Sequence, residues 1–426
     1  MKLLIKSGWV VDPANNIDGI LDVLIENGKI ACLQKDITVK ADKIIDASAK
    51  IVIPGIVDMH VHLREPGRED KETVASGTQA ALKGGVTSLL AMPNTTPAID
   101  SPANVDLLKN IIKKSARCNV FISAAITKSR LGKEITDIAG LKKSEVIAIT
   151  DDGSSVDDGK IFLKALQKCA KEKMLVIAHC EDKALSKNGV VNLGFISTKL
   201  GLRGISRESE YLRIERDIEL AQRVKTGLHI AHVSCRESVE IIAKAKKKAV
   251  ALTCETAPHY FSLSEDDVAG YDTNMKINPP LRAKEDVLAI REGLRSGVID
   301  AIASDHAPHT ENEKDIEFDR AEFGKIGLES GLAVCVMELI DKQILSWPEL
   351  VRKISLNPAK ILGINKGRLS VGLEADITIL DPNKEFILKK ETIVSKSKNS
   401  PFIGRKVKGA VEYTILGGKI VYEEAC

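Results

Sequence analysis

The feature that most constrains this chain is a recurrence of short apolar runs through its middle. They read "IVDMHVH", "VTSLLAMP", "NVFISAAI", "VIAITDD", "LVIAHCE", "LHIAHVS", "AVALTCETAPHY" and "VIDAIASDHAP". Between most of them lie stretches with helical periodicity, such as "SPANVDLLKNIIKKSA" and "SVEIIAKAKKKA". Near-continuous apolar strands are covered on both faces, and strands alternating with helices build a parallel sheet. Eight such runs predict an α/β fold of (β/α)8 TIM-like type, which typically needs about 250 residues. A doubly wound sheet is the alternative, but no GxGxxG follows the first run.

The flanks have a different texture. "KLLIKSGWVVDP", "LDVLIENGKIACL" and "KIIDASAKIVIPG" read as short strands, with Asn27-Gly28 a hairpin turn signal. "ADITILDP", "EFILKK" and "GAVEYTILGGKIVYEE" repeat that pattern near the other end. The expectation is a barrel over 53–365 and a small β-sandwich domain assembled from 1–52 and 366–426. Hydrophobic residues make up 44% of the chain, enough for a large core. A net charge of +3 from 62 basic and 59 acidic residues argues against a nucleic-acid or membrane-surface partner. "MKLLIKSGWVVDP" lacks the apolar stretch of a signal peptide, and no run approaches the roughly 18 apolar residues of a spanning helix. The eight cysteines are scattered without a CxxC pair, so reduced thiols and a cytoplasmic location are expected.

The polar residues that interrupt this pattern fall at the C-terminal ends of the runs: His60 and His62 on the first, Asp151 and Asp152 on the fourth, His179 on the fifth, His232 on the sixth, Asp305 on the eighth. That rim of a barrel carries the active site, and imidazoles with carboxylates are metal-site composition. Side chains at i and i+2 of a strand point the same way, so His60 and His62 can reach one cation. Two core histidines bonded to backbone would explain the pair alone, but not its coincidence with the other strand tips. His229 differs from His232 by three positions and is expected on the opposite face. His259 reads as a supporting residue. Asp305 suits a general base that also touches the metal, and His309 an anionic substrate group. Arg64, two residues beyond His62, offers a planar fork for a carboxylate, unless it pairs with Glu65 or Glu69. Parity alone does not choose between Asp151 and Asp152.

"DMHVHLREPG" together with "ASDHAPHTENEK" resembles the paired signatures of the dihydroorotases, in the amidohydrolase superfamily, and "AMPNTTP", "TDDG", "AHCED", "AHVS", "CETAPHY" and "INPPLR" fall in that family's order. The resemblance spans essentially the whole chain. It implies two Zn2+ per subunit, one held by His60 and His62, the other by His179 and His232. Asp152 would bridge them where many superfamily members use a carbamylated lysine. Asp305 would be the catalytic acid/base and contact the first metal. Arg64, Asn94, Asn278 and His309 would bind substrate, with backbone contacts from Phe323 and Gly324. The implied reaction interconverts L-dihydroorotate and N-carbamoyl-L-aspartate, in pyrimidine biosynthesis. Two alternatives remain: a hydantoinase- or allantoinase-like cyclic amidohydrolase, and a non-catalytic partner of aspartate carbamoyltransferase. Association with that transferase and homo-oligomerisation are left open by the sequence.

Overall fold

The computed structural model describes residues 2–424, so Cys426, one of the scattered cysteines, lies outside them; the other seven are free thiols. Eight strands pair in sequence order and all in parallel: Ile56–Val61, Val86–Ala91, Asn119–Ala124, Ala148–Ile149, Leu175–Ala178, Leu228–Ile230, Leu252–Thr256 and Ala301–Ile302. The first and last meet beyond their regular ends, where His62 N donates to His306 O (2.9 Å) and Val61 bridges His306 in parallel. Asp58 adds a side-chain staple across the same seam, accepting from Ser304 N (3.1 Å) and His60 N (3.2 Å). The fold is therefore the expected (β/α)8 barrel. Val57, Met59, Leu90, Ile177 and Ala301 from its strands belong to one apolar cluster, and the outer helices bury a larger one.

Helices form where the periodicity places them. "SPANVDLLKNIIKKSA" gives Pro102–Ser115, entered through Ser101 as N-cap with proline in the first turn. "SVEIIAKAKKKA" forms most of helix Arg236–Lys247 and its C-terminal cap, with three lysines in the last turn, where the helix dipole favours cations.

Both flanks join one mixed eight-stranded sheet, the form taken by the expected small β-sandwich domain. Strand Ile51–Pro54 pairs in parallel with Lys2–Asp12 and antiparallel with Ile377–Ile387, from Ile51↔Leu380 to Pro54↔Ile377. The Asn27-Gly28 hairpin is present, with φ of 51° and 83° at the two residues and Glu26 opposite Lys29. Residues 393–400 leave the sheet and run along the barrel mouth: Ser397 Oγ donates to Lys71 O (2.6 Å), Ser395 Oγ to Glu72, and Asn399 Nδ2 to Gly324 O (3.1 Å). No helix among the described residues is long and apolar enough to cross a membrane.

One buried charge pair supports the sixth strand end. Glu210, on helix Glu208–Val224, accepts from Ser234 N (2.9 Å), Cys235 N (3.3 Å) and Ser238 Oγ (2.8 Å). Arg282 donates to Glu210 Oε2 (3.2 Å), Ser234 Oγ (3.1 Å), Asn192 Oδ1 (3.0 Å) and Ile205 O (3.2 Å). Burial opposes the charge on Glu210, and Arg282 with the Ser234 donors overcomes it, holding its pKa below the ordinary range. Removing one partner of a buried pair leaves the other charge uncompensated, which typically costs about 3–5 kcal/mol. Glu210→Ala is expected to lower stability by about that much, read as a lower midpoint in urea-induced unfolding.

Candidate metal centre and active site

The side chains from the strand tips converge. The His60 and His62 rings lie 5.3 Å apart, as do those of His60 and His232, and His179 sits 4.6 Å from His232. All are buried. Asp152 projects among them: Oδ1 is 3.2 Å from His60 Nε2, 3.4 Å from His179 Nδ1 and 3.6 Å from His232 Nε2, while Oδ2 is 3.4 Å from His62 Nε2. Asp151 turns away and accepts from Thr127 N (3.0 Å) and the Thr127 hydroxyl. The parity left open by the sequence is thus resolved in space, with Asp152 toward the histidines. Asp305 Oδ1 faces His62 Nε2 (3.6 Å) and His60 Nε2 (3.8 Å).

The donor set fits a cation. His60 Nδ1 donates to Glu255 Oε1 (2.7 Å) and His62 Nδ1 to Asn94 Oδ1 (2.8 Å). Each bond puts the ring proton on Nδ1 and the lone pair on Nε2. Those lone pairs then face carboxylate oxygens, acceptor against acceptor, in a buried place. His60 Nε2 and Asp152 Oδ1 have no hydrogen-bond partner, and unpaired buried polar atoms are costly. His60, Asp152 and His232 offer converging ligand atoms, as do His60, His62 and Asp305. His60 belongs to both groups. His179 Nδ1 is instead 2.7 Å from His232 Nε2, and its Nε2 is 3.5 Å from Glu181 Oε2. Burial disfavours charge on His60, yet Asp152 and Glu255 overcome it and raise its pKa well above the ordinary value. The local field calls for positive charge.

Three of these residues lie beyond regular strand and adopt left-handed backbone: Arg64 (φ 62°), His232 (φ 35°) and Asp305 (φ 48°). The region is unfavourable for residues with a Cβ, and active sites tolerate it where the surroundings enforce it. It also corrects a reading from alternation. The sixth strand ends at Ile230, so His229 and His232 are not placed on opposite faces by a regular strand. His229 donates or accepts at Thr253 Oγ1 (2.8 Å) and lies 3.4 Å from Glu255 Oε2, behind His60. Burial raises the pKa of Glu255, but His229 and His60 bring it down to about 2. His259 is fully buried, with Nε2 4.0 Å from Asp305 Oδ2.

Opposite the histidines, a cavity of about 270 Å³ is lined by Arg64, Asn94, Asn278, His309, Phe323 and Gly324 together with His62, Asp152, His179, His232 and Asp305. Arg64 does not pair with Glu65 or Glu69, which accept from Val74 N and Gly67 N; its Nε donates to Pro308 O (3.1 Å) and its Nη2 is 3.2 Å from His309 Nε2. Asn278 Nδ2 donates to Glu181 Oε2 (3.1 Å). Lys276 sits 4.6 Å above the Phe323 ring, and Lys314 Nζ donates to Glu322 O (2.7 Å) and Gly324 O (3.0 Å), which fixes that lip. His306 points elsewhere, to Glu72 (3.3 Å). Glu255, Glu181 and Lys71 were not singled out from the sequence. Glu255 carried the one available signal, a carboxylate inside the apolar seventh run.

Residues 49–238 match a family model described as dihydro-orotase-like, and residues 279–422 one described as an amidohydrolase family. A dihydroorotase of Elusimicrobium minutum is 51% identical over 99% of this chain and 98% of its own length. The chain belongs to the dihydroorotase family. It is therefore a cyclic-amide hydrolase of the amidohydrolase superfamily that acts on a small molecule, and its clustered ligand atoms suit a metal cofactor. A dihydroorotase of Geobacter metallireducens is 47% identical over 99% of this chain and 100% of its own. Among solved structures, an L-hydantoinase (dihydropyrimidinase) from Arthrobacter aurescens superposes with TM-score 0.91 at 25% identity, covering 100% of this chain and 96% of that one. A dihydropyrimidinase from Brevibacillus agri has TM-score 0.86 at 24% identity over 99% and 95%, a likeness of fold.

Asp152 carries the donor oxygens shared by the histidines, and Asp151 does not. Asp152→Ala is expected to lose the metal centre, and Asp151→Ala to keep it, by metal analysis of the purified proteins. With a carboxylate already in place, metal-stripped protein should recover activity in zinc alone, in buffer free of bicarbonate.

Proposed function

We propose that this enzyme interconverts L-dihydroorotate and N-carbamoyl-L-aspartate using two zinc ions, in pyrimidine biosynthesis. The observation that carries the reading is the pairing, across one cavity, of a carboxylate-rich metal centre with the Arg64–His309 cation and donor pair. Hydantoin and allantoin bear no carboxylate for that pair to hold.

Zinc held by His60, His62, Asp152, His179, His232 and Asp305 would polarise the ring amide carbonyl and lower the pKa of water toward about 7. The chain's own groups do the rest. Arg64 and His309 hold the substrate carboxylate, while Asn94, Asn278 and the backbone at Phe323 and Gly324 orient the ring. Burial raises the pKa of Asp305, but His62, His60 and His232 overcome it and keep the carboxylate ionised. Asp305 is thus ready to accept the proton of the attacking water. As the ring C–N bond breaks, it returns that proton to the leaving nitrogen, and the water oxygen stays on the carbonyl carbon. Arg64 remains a cation at neutral pH, although burial lowers its pKa to about 10.

Hydrolysis of L-dihydroorotate set against hydantoin and allantoin tests the assignment; preference for either uncharged ring would overturn it. Asp305→Asn is expected to lose about 10²–10⁴-fold in kcat, with metal still bound through the histidines and Asp152. Arg64→Met should raise KM for dihydroorotate by about 10- to 150-fold, the worth of a charge-assisted bidentate contact. Its effect on cyclic amides without a carboxylate should be small, so equal losses on both would make Arg64 structural.

A further inference from the structure

His309 lies between two cationic donors, with Glu313 Oε2 3.6 Å from its Nδ1 and the Phe323 backbone as the nearby acceptors. Its Nδ1 is 3.0 Å from Lys71 Nζ, and its Nε2 is 3.2 Å from Arg64 Nη2. A neutral imidazole has one N–H and one lone pair. It can accept through one ring nitrogen only, and the other then carries the proton. A doubly protonated ring would set N–H against both; burial, then Arg64, Lys71 and Lys314, push its pKa far below the ordinary value.

The surroundings decide which donor His309 accepts from. Lys71 is buried and its amine is held by Glu313 Oε1 (2.9 Å), which also takes Arg68 Nη2 (2.7 Å). Its backbone is fixed by Lys71 N donating to Arg68 O (3.0 Å) and by Ser397 Oγ donating to Lys71 O (2.6 Å). Lys71 has nowhere to retreat. Arg64 is tethered through Nε to Pro308 O, and its terminal nitrogens border the cavity.

We propose that Lys71 is a positioning residue that donates to His309 Nδ1, fixes the ring proton on Nε2, and so makes His309 a donor toward the substrate carboxylate. This rests on the reading of Arg64 and His309 as the clamp for that carboxylate. With the proton on Nε2, the ring and the guanidinium confront each other donor to donor. A carboxylate oxygen between them accepts from both and relieves the opposition, whereas an uncharged ring leaves it standing. Selectivity for an anion is thereby set in part by a lysine that touches the substrate nowhere. Without Lys71 the ring is free to place its proton on Nδ1 and accept from Arg64, which closes the clamp on itself.

The test is nitrogen–proton correlation NMR on metal-loaded protein labelled with 15N-histidine, with His309 assigned by the signals lost in His309→Gln. The expected wild-type spectrum has a pyridine-like Nδ1 and a pyrrole-like Nε2. Lys71→Met should move proton density onto Nδ1 and raise KM for L-dihydroorotate on the order of 10-fold, with a smaller change in kcat. Lys71→Arg, which keeps a cationic donor, should recover part of the wild-type KM. A wild-type ring protonated on Nδ1, or on both nitrogens, overturns the proposal, as does Lys71→Met with an unchanged tautomer. The wild-type spectrum decides even if the variant does not fold. If the wild type fails to hydrolyse dihydroorotate, the functional reading falls while the tautomer is still read.

Discussion

Everything at the barrel mouth is arranged around acceptors that face acceptors. The Nε2 lone pairs of His60 and His62 point at oxygens of Asp152 and Asp305, with little water to soften the repulsion. In a low-dielectric site such an arrangement is held only if the scaffold forbids the rings to turn and a cation repays the cost. Glu255 and Asn94 do the holding, each from a strand end adjoining the rim, by taking the Nδ1 protons. Asp58 does comparable work for the backbone, tying the first strand to the residue before Asp305.

The other half of the cavity inverts this logic. There the cationic donors Arg64 and Lys71 crowd one imidazole, His309, and Glu313 balances them from behind. One wall asks for a cation and the other for an anion. A metal ion would meet the first demand and a carboxylate on a small polar ring the second, with a ring carbonyl turned toward the cation. That complementarity uses charge of both signs, while the chain as a whole is nearly neutral at +3.

The barrel was legible because a strand buried on both faces leaves an unbroken apolar run, and nothing else in this chain does so at that spacing. His60 and His62 were legible because both precede or adjoin the end of a regular strand, where alternation holds. Alternation gives no guidance one step later. Arg64, His232 and Asp305 sit in left-handed backbone past the strand ends, so their directions come from the loops' tertiary contacts. The choice of Asp152 over Asp151 was hidden for a like reason: the fourth strand ends at Ile149, and Thr127 captures the first carboxylate. Lys71 was invisible because its partner His309 is remote in sequence and no periodicity links them.

The pairing of Pro54 with Ile377 has a consequence for the order in which the molecule can be made. Ile51–Pro54 is buried in the finished sheet, but its neighbour Ile377–Ile387 is synthesised roughly 320 residues later, on the order of tens of seconds at ordinary translation rates. Throughout that interval "IVIP" presents an apolar, unpaired edge, the kind of surface that recruits other chains. The strap at 393–400 emerges later still, so the contacts it makes with Lys71, Glu72 and Gly324 cannot form on a ribosome-bound barrel whose strands are already complete. A nascent chain therefore carries the whole metal-ligand set well before it carries a finished site, and during that time a chaperone has more to protect than the enzyme has to catalyse.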